Sequence, residues 1–391
     1  MVLHRARPLG KFFSWIVAFA VLSLSTQAWS QSLPSIRTTF VPRDTGQPSP
    51  CYQTTCFQRA AYDANTLVAA GYTDPGSLYI YRRLSSGPWY RHAKLRNRTL
   101  KAVINAEILV GGAGCSTDVF ALSGSIWVVK QNIPVCGEEV IQDYNRILFV
   151  NQSSSSEWTI VARRADGVYV VESSFNPATL VPLHPAISVA MHGWTIAVGQ
   201  PVNSNELGKV HIFQRRNGQW SLATTIEAEP ALFGTMFGWT VAVGDFEVAI
   251  SAPLLFAGPG RTGKVFVYAG YGDNWHVRQE IIEPAGTSTN KIFGTAMTMK
   301  DRRLIVSGDA PQVPTTGPYT YLFERGLTDA DWLPRGAFAT RNGAQRPTPS
   351  IFISGNTAMV DVAATELLSG QNGTIPSVVN LPALREPDVA P

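Results

Sequence analysis

Charge is scarce in this sequence, and so are the arrangements of residues on which most enzymes depend. Only 15% of the 391 residues are Asp, Glu, Lys or Arg. The six histidines are scattered, with no H-E-x-x-H and no i, i+4 pair, so no helical zinc site is spelled out. There is no G-x-S-x-G elbow and no glycine loop of the kind that cradles phosphate. Asp44-Thr45-Gly46 matches the tripeptide of aspartic proteases, but that chemistry needs two aspartates sharing a proton. No second copy occurs, and Arg43 stands where an apolar residue is expected, so the tripeptide reads as a loop turn. Asp245, Asp301, Asp309, Asp329 and Asp331 supply acid, yet no catalytic pair is marked by spacing. Sustained helical periodicity is also missing, and almost no helix is expected.

What is present is apolar residue and turn chemistry. With 45% hydrophobic residues, 33 Gly and 26 Pro, the chain has material for a large core and many tight turns, the balance of an all-β body. At the N-terminus, Arg5, Arg7 and Lys11 precede an apolar run from Phe12 to Leu24, and Ala28-Trp29-Ser30 follows. This is the pattern of a secretory signal cleaved near Ser30; the run falls short of the roughly 18 residues a membrane span needs. The expected destination is periplasmic or extracellular, with no transmembrane span in the mature chain. Without residues 1–30 the net charge falls from +4 to +1, because three basic and no acidic residues are lost. A near-neutral chain does not predict nucleic acid as a partner, since phosphate neutralisation needs clustered cations. The basic run from Arg91 to Arg98 reads as a solvated outer strand and turn.

The four cysteines, Cys51, Cys56, Cys115 and Cys136, allow three pairings in an exported chain. Cys51–Cys56 with Cys115–Cys136 is the expected one, each bridge stapling a loop. The spacing lacks the paired C-x-x-C of a zinc site.

Along the chain one four-run unit recurs. In residues 237–275, Val241 to Val243 lead into a Gly244-Asp245-Phe246 turn, Val248 to Ser251 return, Val265 to Tyr268 follow a Gly/Pro-rich loop, and Trp275 opens a fourth run. The same order is found from Phe57, Leu100, Glu139, Ile187 and Phe293, with about 40 to 57 residues between second runs, a propeller-blade period. A seventh unit from Ile351 has only three runs before the proline-rich tail at 383–391. The orphan run Ser35 to Val41, ahead of a loop at 42–56, is its expected fourth strand. The expectation is therefore one domain over 31–382: a seven-bladed β-propeller of four-stranded antiparallel blades, closed by an N-terminal strand in the last blade.

Phe237-Gly238 through Pro253, with Gly263 to Tyr268 and Trp275, resembles the FG-GAP repeat of integrin α-subunit propellers and of many secreted bacterial proteins. Phe293-Gly294 with Ser307 to Pro311, and Gly199-Gln200-Pro201 with Gly208 to Phe213 and Trp220, carry the same pattern. The resemblance implies a propeller used for adhesion or for presenting a binding face. Many family members hold calcium in a D-x-D-x-D-G loop between the first two strands. The corresponding turns here offer too few carboxylates for the 6 to 8 oxygens calcium takes, so the metal-free version is expected and no cofactor.

The functional expectation is an exported, non-enzymatic module binding a protein or a cell-surface glycan through loops on one face. A secreted polysaccharide hydrolase or lyase on the same scaffold is the alternative. The non-repeating insertions 203–207, 254–262 and 312–317 join second to third strands and are the expected recognition loops. Trp194 and Trp239, near strand ends, are candidate ligand contacts, with packing between blades as the other reading.

Overall fold

The computed structural model describes residues 38–40 and 57–381, except 64, 72–75, 85–88, 152–156, 184–187, 202–206, 233–234, 254–262, 285–291, 310–318, 327–330, 340–350, 355–356 and 366–371. The expected signal at 1–30, Cys51, Cys56, the Asp44 tripeptide, the three insertions (203–206 of the first) and the tail lie outside these residues. Among the described residues no helix is long and apolar enough to cross a membrane.

The all-β expectation holds. In chain order the strands are β1 (Thr38–Phe40), β2 (Phe57–Asp63), β3 (Thr66–Gly71), β4 (Leu78–Arg82), β5 (Tyr90–Leu95), β6 (Leu100–Ile104), β7 (Glu107–Gly111), β8 (Thr117–Ser123), β9 (Ile126–Ile133), β10 (Glu139–Asp143), β11 (Arg146–Val150), β12 (Trp158–Arg163), β13 (Tyr169–Phe175) and β14 (Ser188–His192). There follow β15 (Thr195–Gln200), β16 (Lys209–Arg216), β17 (Gln219–Glu227), β18 (Val241–Gly244), β19 (Glu247–Ala252), β20 (Lys264–Tyr271), β21 (Asn274–Ile282), β22 (Ile292–Lys300), β23 (Arg303–Asp309), β24 (Tyr319–Glu324), β25 (Leu333–Ala339), β26 (Ile351–Ser354), β27 (Thr357–Thr365) and β28 (Asn372–Asn380). All pairings are antiparallel, and β6–β9, β10–β13, β14–β17, β18–β21 and β22–β25 each form a four-stranded meander.

The two ends of the chain share the remaining sheet. It runs β26-β27-β28-β2-β3-β4-β5, with β1 paired to β28. β1 lies in register Thr38↔Val379 to Phe40↔Ser377, inside the run predicted to close the last unit. The sheets number six because β28 also reaches β2 at the single pair Phe57↔Thr374, which fuses the first and last units into one eight-stranded sheet.

Contacts between first strands make a circuit: β2 meets β6, β6 meets β10, and so on through β14, β18, β22 and β26, which meets β2 again. The described buried apolar residues follow the same circuit, in clusters that each straddle two neighbours. Val68, Ile80, Leu100 and Ile108 fill the gap between the first and second groups of strands, Val265, Val267, Leu304 and Tyr321 that between β18–β21 and β22–β25, and Ile305, Leu322, Ile353 and Ala358 the next. Sheets stacked face to face around an axis in this way form a propeller-like body, and alternation along each strand lets both faces bury.

The repeated letters have a steric cause at these junctions. Gly208 and Gly263 open β16 and β20, and a Cβ on either would collide with the backbone of the next unit's Phe-Gly element, Phe237 and Phe293 respectively. The glycine side of each Phe-Gly takes φ of +87° at Gly238 and +94° at Gly294, a region side-chain-bearing residues avoid. Phe237 and Phe293 are themselves fully buried. Each Phe-Gly thus wedges into the preceding sheet where only glycine leaves room.

Candidate functional site: a channel and its two mouths

Because every first strand runs the same way, the circuit encloses a channel. β10, β14, β18, β22 and β26 line a cavity of about 530 Å³, within the range of ligand sites. One mouth is formed by the tight hairpins that link first to second strands. The other lies at the opposite strand ends, where Glu139, Ser188, Pro201, Trp239 and Thr295 line it and where second strands connect to third.

The hairpin mouth is belted by polar contacts between sheets. His192 ends β14. Its Nδ1 lies 3.1 Å from Asp143 Oδ1 at the end of β10, and its Nε2 2.9 Å from Asp245 Oδ1 in the β18–β19 turn. Carboxylates accept, so both ring nitrogens carry protons and the ring is an imidazolium. The hydrogen bond to Asp143, opposed by burial and helped by Asp245, pushes the His192 pKa up to about 9. The Gly193 N–H donates to the other Asp143 oxygen at 2.7 Å.

Tyr144, next along from Asp143, crosses the mouth. Its hydroxyl donates to Asp301 Oδ1 at 2.5 Å in the β22–β23 turn, so the side chain spans hairpins of sheets that are not neighbours. Lys300 Nζ sits 4.6 Å from the centre of its ring. Burial, reinforced by Asp301, raises the phenol's pKa, which keeps the donor protonated. The belt continues through Asn105 Nδ2, which donates to Asn145 Oδ1 at 3.3 Å. Asp63 then accepts from the Ala106 N–H at 3.2 Å and the Ser354 hydroxyl at 2.8 Å. Chemically the belt is a set of completed ion pairs and hydrogen bonds. Among the described residues no three His, Cys, Asp or Glu side chains are grouped to hold a metal ion.

Sequence reasoning did not assemble this belt. The signal that would have found it is the repeat itself: Asp143 and His192 stand 49 residues apart, and His192 and Asp245 stand 53 apart, one period in each direction. Polar residues at the same hairpin position of successive units were bound to meet around the axis.

The two tryptophans part company. Trp194, in the turn after His192, is 42% exposed. Its ring has the Arg146 guanidinium 3.8 Å and the Arg215 guanidinium 4.7 Å from its centre, and Glu172 binds both arginines at 2.8 and 3.4 Å. That is a cation–π stack between the β10–β13 and β14–β17 sheets, a packing role. Trp239 lies at the other mouth of the channel, half-buried, facing the cavity. Cys115 and Cys136 form a disulfide, Cα atoms 4.9 Å apart, joining the residues before β8 to those after β9. The basic run is the outer strand β5 and its turn, and its Arg98 is paired to Asp118 at 2.9 Å.

No family model matches the chain, and no curated protein matches it. Among solved structures the chain is similar to Saccharomyces cerevisiae Sqt1, with a TM-score of 0.48 and 10% identity, covering 90% of this chain and 100% of that one. It is also similar to a chain in the S. cerevisiae complex of variant Dbp5 bound to Nup159, variant Gle1, IP6 and ADP. There the TM-score is 0.40 and the identity 10%, covering 90% of this chain and 98% of that one.

Proposed function

We propose that this protein is an exported, seven-bladed propeller of the FG-GAP kind, without bound calcium, that works as a binding module. It presents the Trp239 mouth and its surrounding connections to a protein or a cell-surface glycan. One observation carries the reading: His192 and Tyr144 at the hairpin mouth are spent on Asp143, Asp245 and Asp301. Both nitrogens of His192 and the hydroxyl of Tyr144 are engaged with carboxylates, so neither serves as a free base or acid for hydrolysis. The opposite mouth carries Trp239, and in sequence 203–207, 254–262 and 312–317 each fall between a second strand and a third.

Two further features support the parts of this reading. The circuit of first-strand contacts passes through seven strands before it returns to β2, and the Phe-Gly wedges explain why that pair of letters recurs. A disulfide in the second sheet suits an oxidising compartment.

The test is binding and turnover side by side. Purified protein is applied to a glycan array and to immobilised surface proteins of its source cells, and assayed on a panel of glycosidic substrates. Saturable binding without turnover, abolished by replacing the three insertions with short Gly-Ser turns or by Trp239→Ala, is expected. Turnover of any glycan, or binding indifferent to both changes, overturns the proposal.

A further inference from the structure

The sheet β6–β9 ends on an unusual outer strand. β9 is the last strand in its sheet order, so one side of its backbone pairs with β8 and the other faces outward. Its first four residues, Ile126-Trp127-Val128-Val129, are all apolar. Ile126 is 63% exposed, Val128 37% and Val129 51%. Free strand edges are templates for pairing, and proteins guard them with charge or proline. Most other outer strands follow that rule: Arg91 and Lys94 on β5, Glu227 on β17, Arg278 and Glu280 on β21, Pro334 and Arg335 on β25.

On β9 the guard is turned away. Its single charged residue, Lys130, is the extra residue of a bulge, since Phe120 pairs with Val129 and Val119 with Gln131. From the bulge Lys130 Nζ reaches sideways to Glu107 Oε1 at 2.6 Å and to the Gly167 carbonyl at 2.7 Å. Gln131 is drawn the same way, exchanging hydrogen bonds with the backbone of Tyr169 at 2.6 and 2.8 Å. Trp127 donates to His92 Nδ1 of β5 at 3.1 Å. The edge left over is short and apolar, and it is held at both ends. The Gly124-Ser125 turn closes β8 on β9 at one end, and the Cys115–Cys136 disulfide ties the same pair at the other.

From this geometry we infer that β9 pairs antiparallel with the β9 of a second copy of this chain, joining two sheets across a two-fold axis at Val128. The argument for a second copy is self-complementarity. An isologous contact sets a surface against itself, so a charged strand would face like charge, which destabilises cross-strand pairs. Here the three residues nearest the axis carry no charge: Val128 falls opposite its own counterpart and Trp127 opposite Val129, pairs of the branched and aromatic kind that favour sheets. The only charge on the strand, Lys130, is drawn off the edge by Glu107, which it shares with Arg163. The contact stands apart from both channel mouths, so it holds or fails independently of the binding reading above.

Sedimentation velocity of the purified protein across micromolar concentrations tests this. A concentration-dependent dimer is expected, weakened at least tenfold by Val128→Lys and unaffected by Val277→Lys, the same change on outer strand β21. Mixing the Val128→Lys protein with a Val128→Glu protein should restore a mixed dimer, because the opposed charges then attract. Unaltered thermal unfolding certifies that each variant folds. If Val128→Lys fails to fold, Ile126→Lys replaces it. A monomer at every concentration overturns the inference, and so does a dimer that survives both edge substitutions.

Discussion

His192 shows how much one side chain is made to do at the hairpin mouth. With its pKa at about 9 against an ordinary 6.5, the folded state holds this proton more tightly than the unfolded chain. A raised pKa contributes stability that is fully present below pH 6.5 and fades as pH climbs towards 9. The contribution is on the order of 2 kcal/mol, after discounting Asp245, whose side chain is 77% exposed to screening solvent. Urea midpoints measured from pH 6 to 9.5 should therefore fall through that window. In His192→Gln the midpoint should start lower and stay nearly flat there. A wild-type midpoint that did not move would mean the imidazolium is not the form that bridges Asp143 and Asp245.

Between sheets, the Phe-Gly wedge is the element that sets spacing. Gly208→Ala is expected to cost about 1–3 kcal/mol, the range for forcing extra atoms into a packed site, because the Phe237 carbonyl has nowhere to retreat. Gly218→Ala removes a glycine from a turn where a Cβ meets nothing, so it adds no such clash and costs only the strain of φ +82°. Differential scanning calorimetry of the two proteins should rank the former as the greater loss. The strands themselves were readable because alternation and turn residues are local properties. Ala69-Ala70-Gly71, Leu148 and Phe323 all sit in strands where pattern put them, and differences fall at strand ends, such as β16 running past Phe213 to Arg216, just before the Asn217-Gly218 turn. The belt was not readable in that way, since Asp143, His192 and Asp245 belong to different sheets and none has a ligand-like neighbour in sequence. The surroundings of Trp194 were unreadable for the same reason: a tryptophan near a strand end looks alike whether solvent or two arginines lie over it, and Arg146 and Arg215 come from other parts of the sequence.

At the scale of the whole molecule, closure depends on three residues at one end of the described chain. β1 covers the Ser377–Val379 stretch of the β28 edge, and without it that edge would be met only by β2 at Phe57↔Thr374. A protein lacking residues 1–41 should unfold at lower urea than one lacking residues 1–30, and should aggregate sooner as the uncovered strand finds partners. Equal midpoints and equal solubility would show that the β1–β28 pair adds nothing. The pairing also fixes an order of events in time. Thr38 is made before the strands of every other sheet, and Val379, its partner, after them. β1 must therefore wait for β28 while the sheets between them are synthesised.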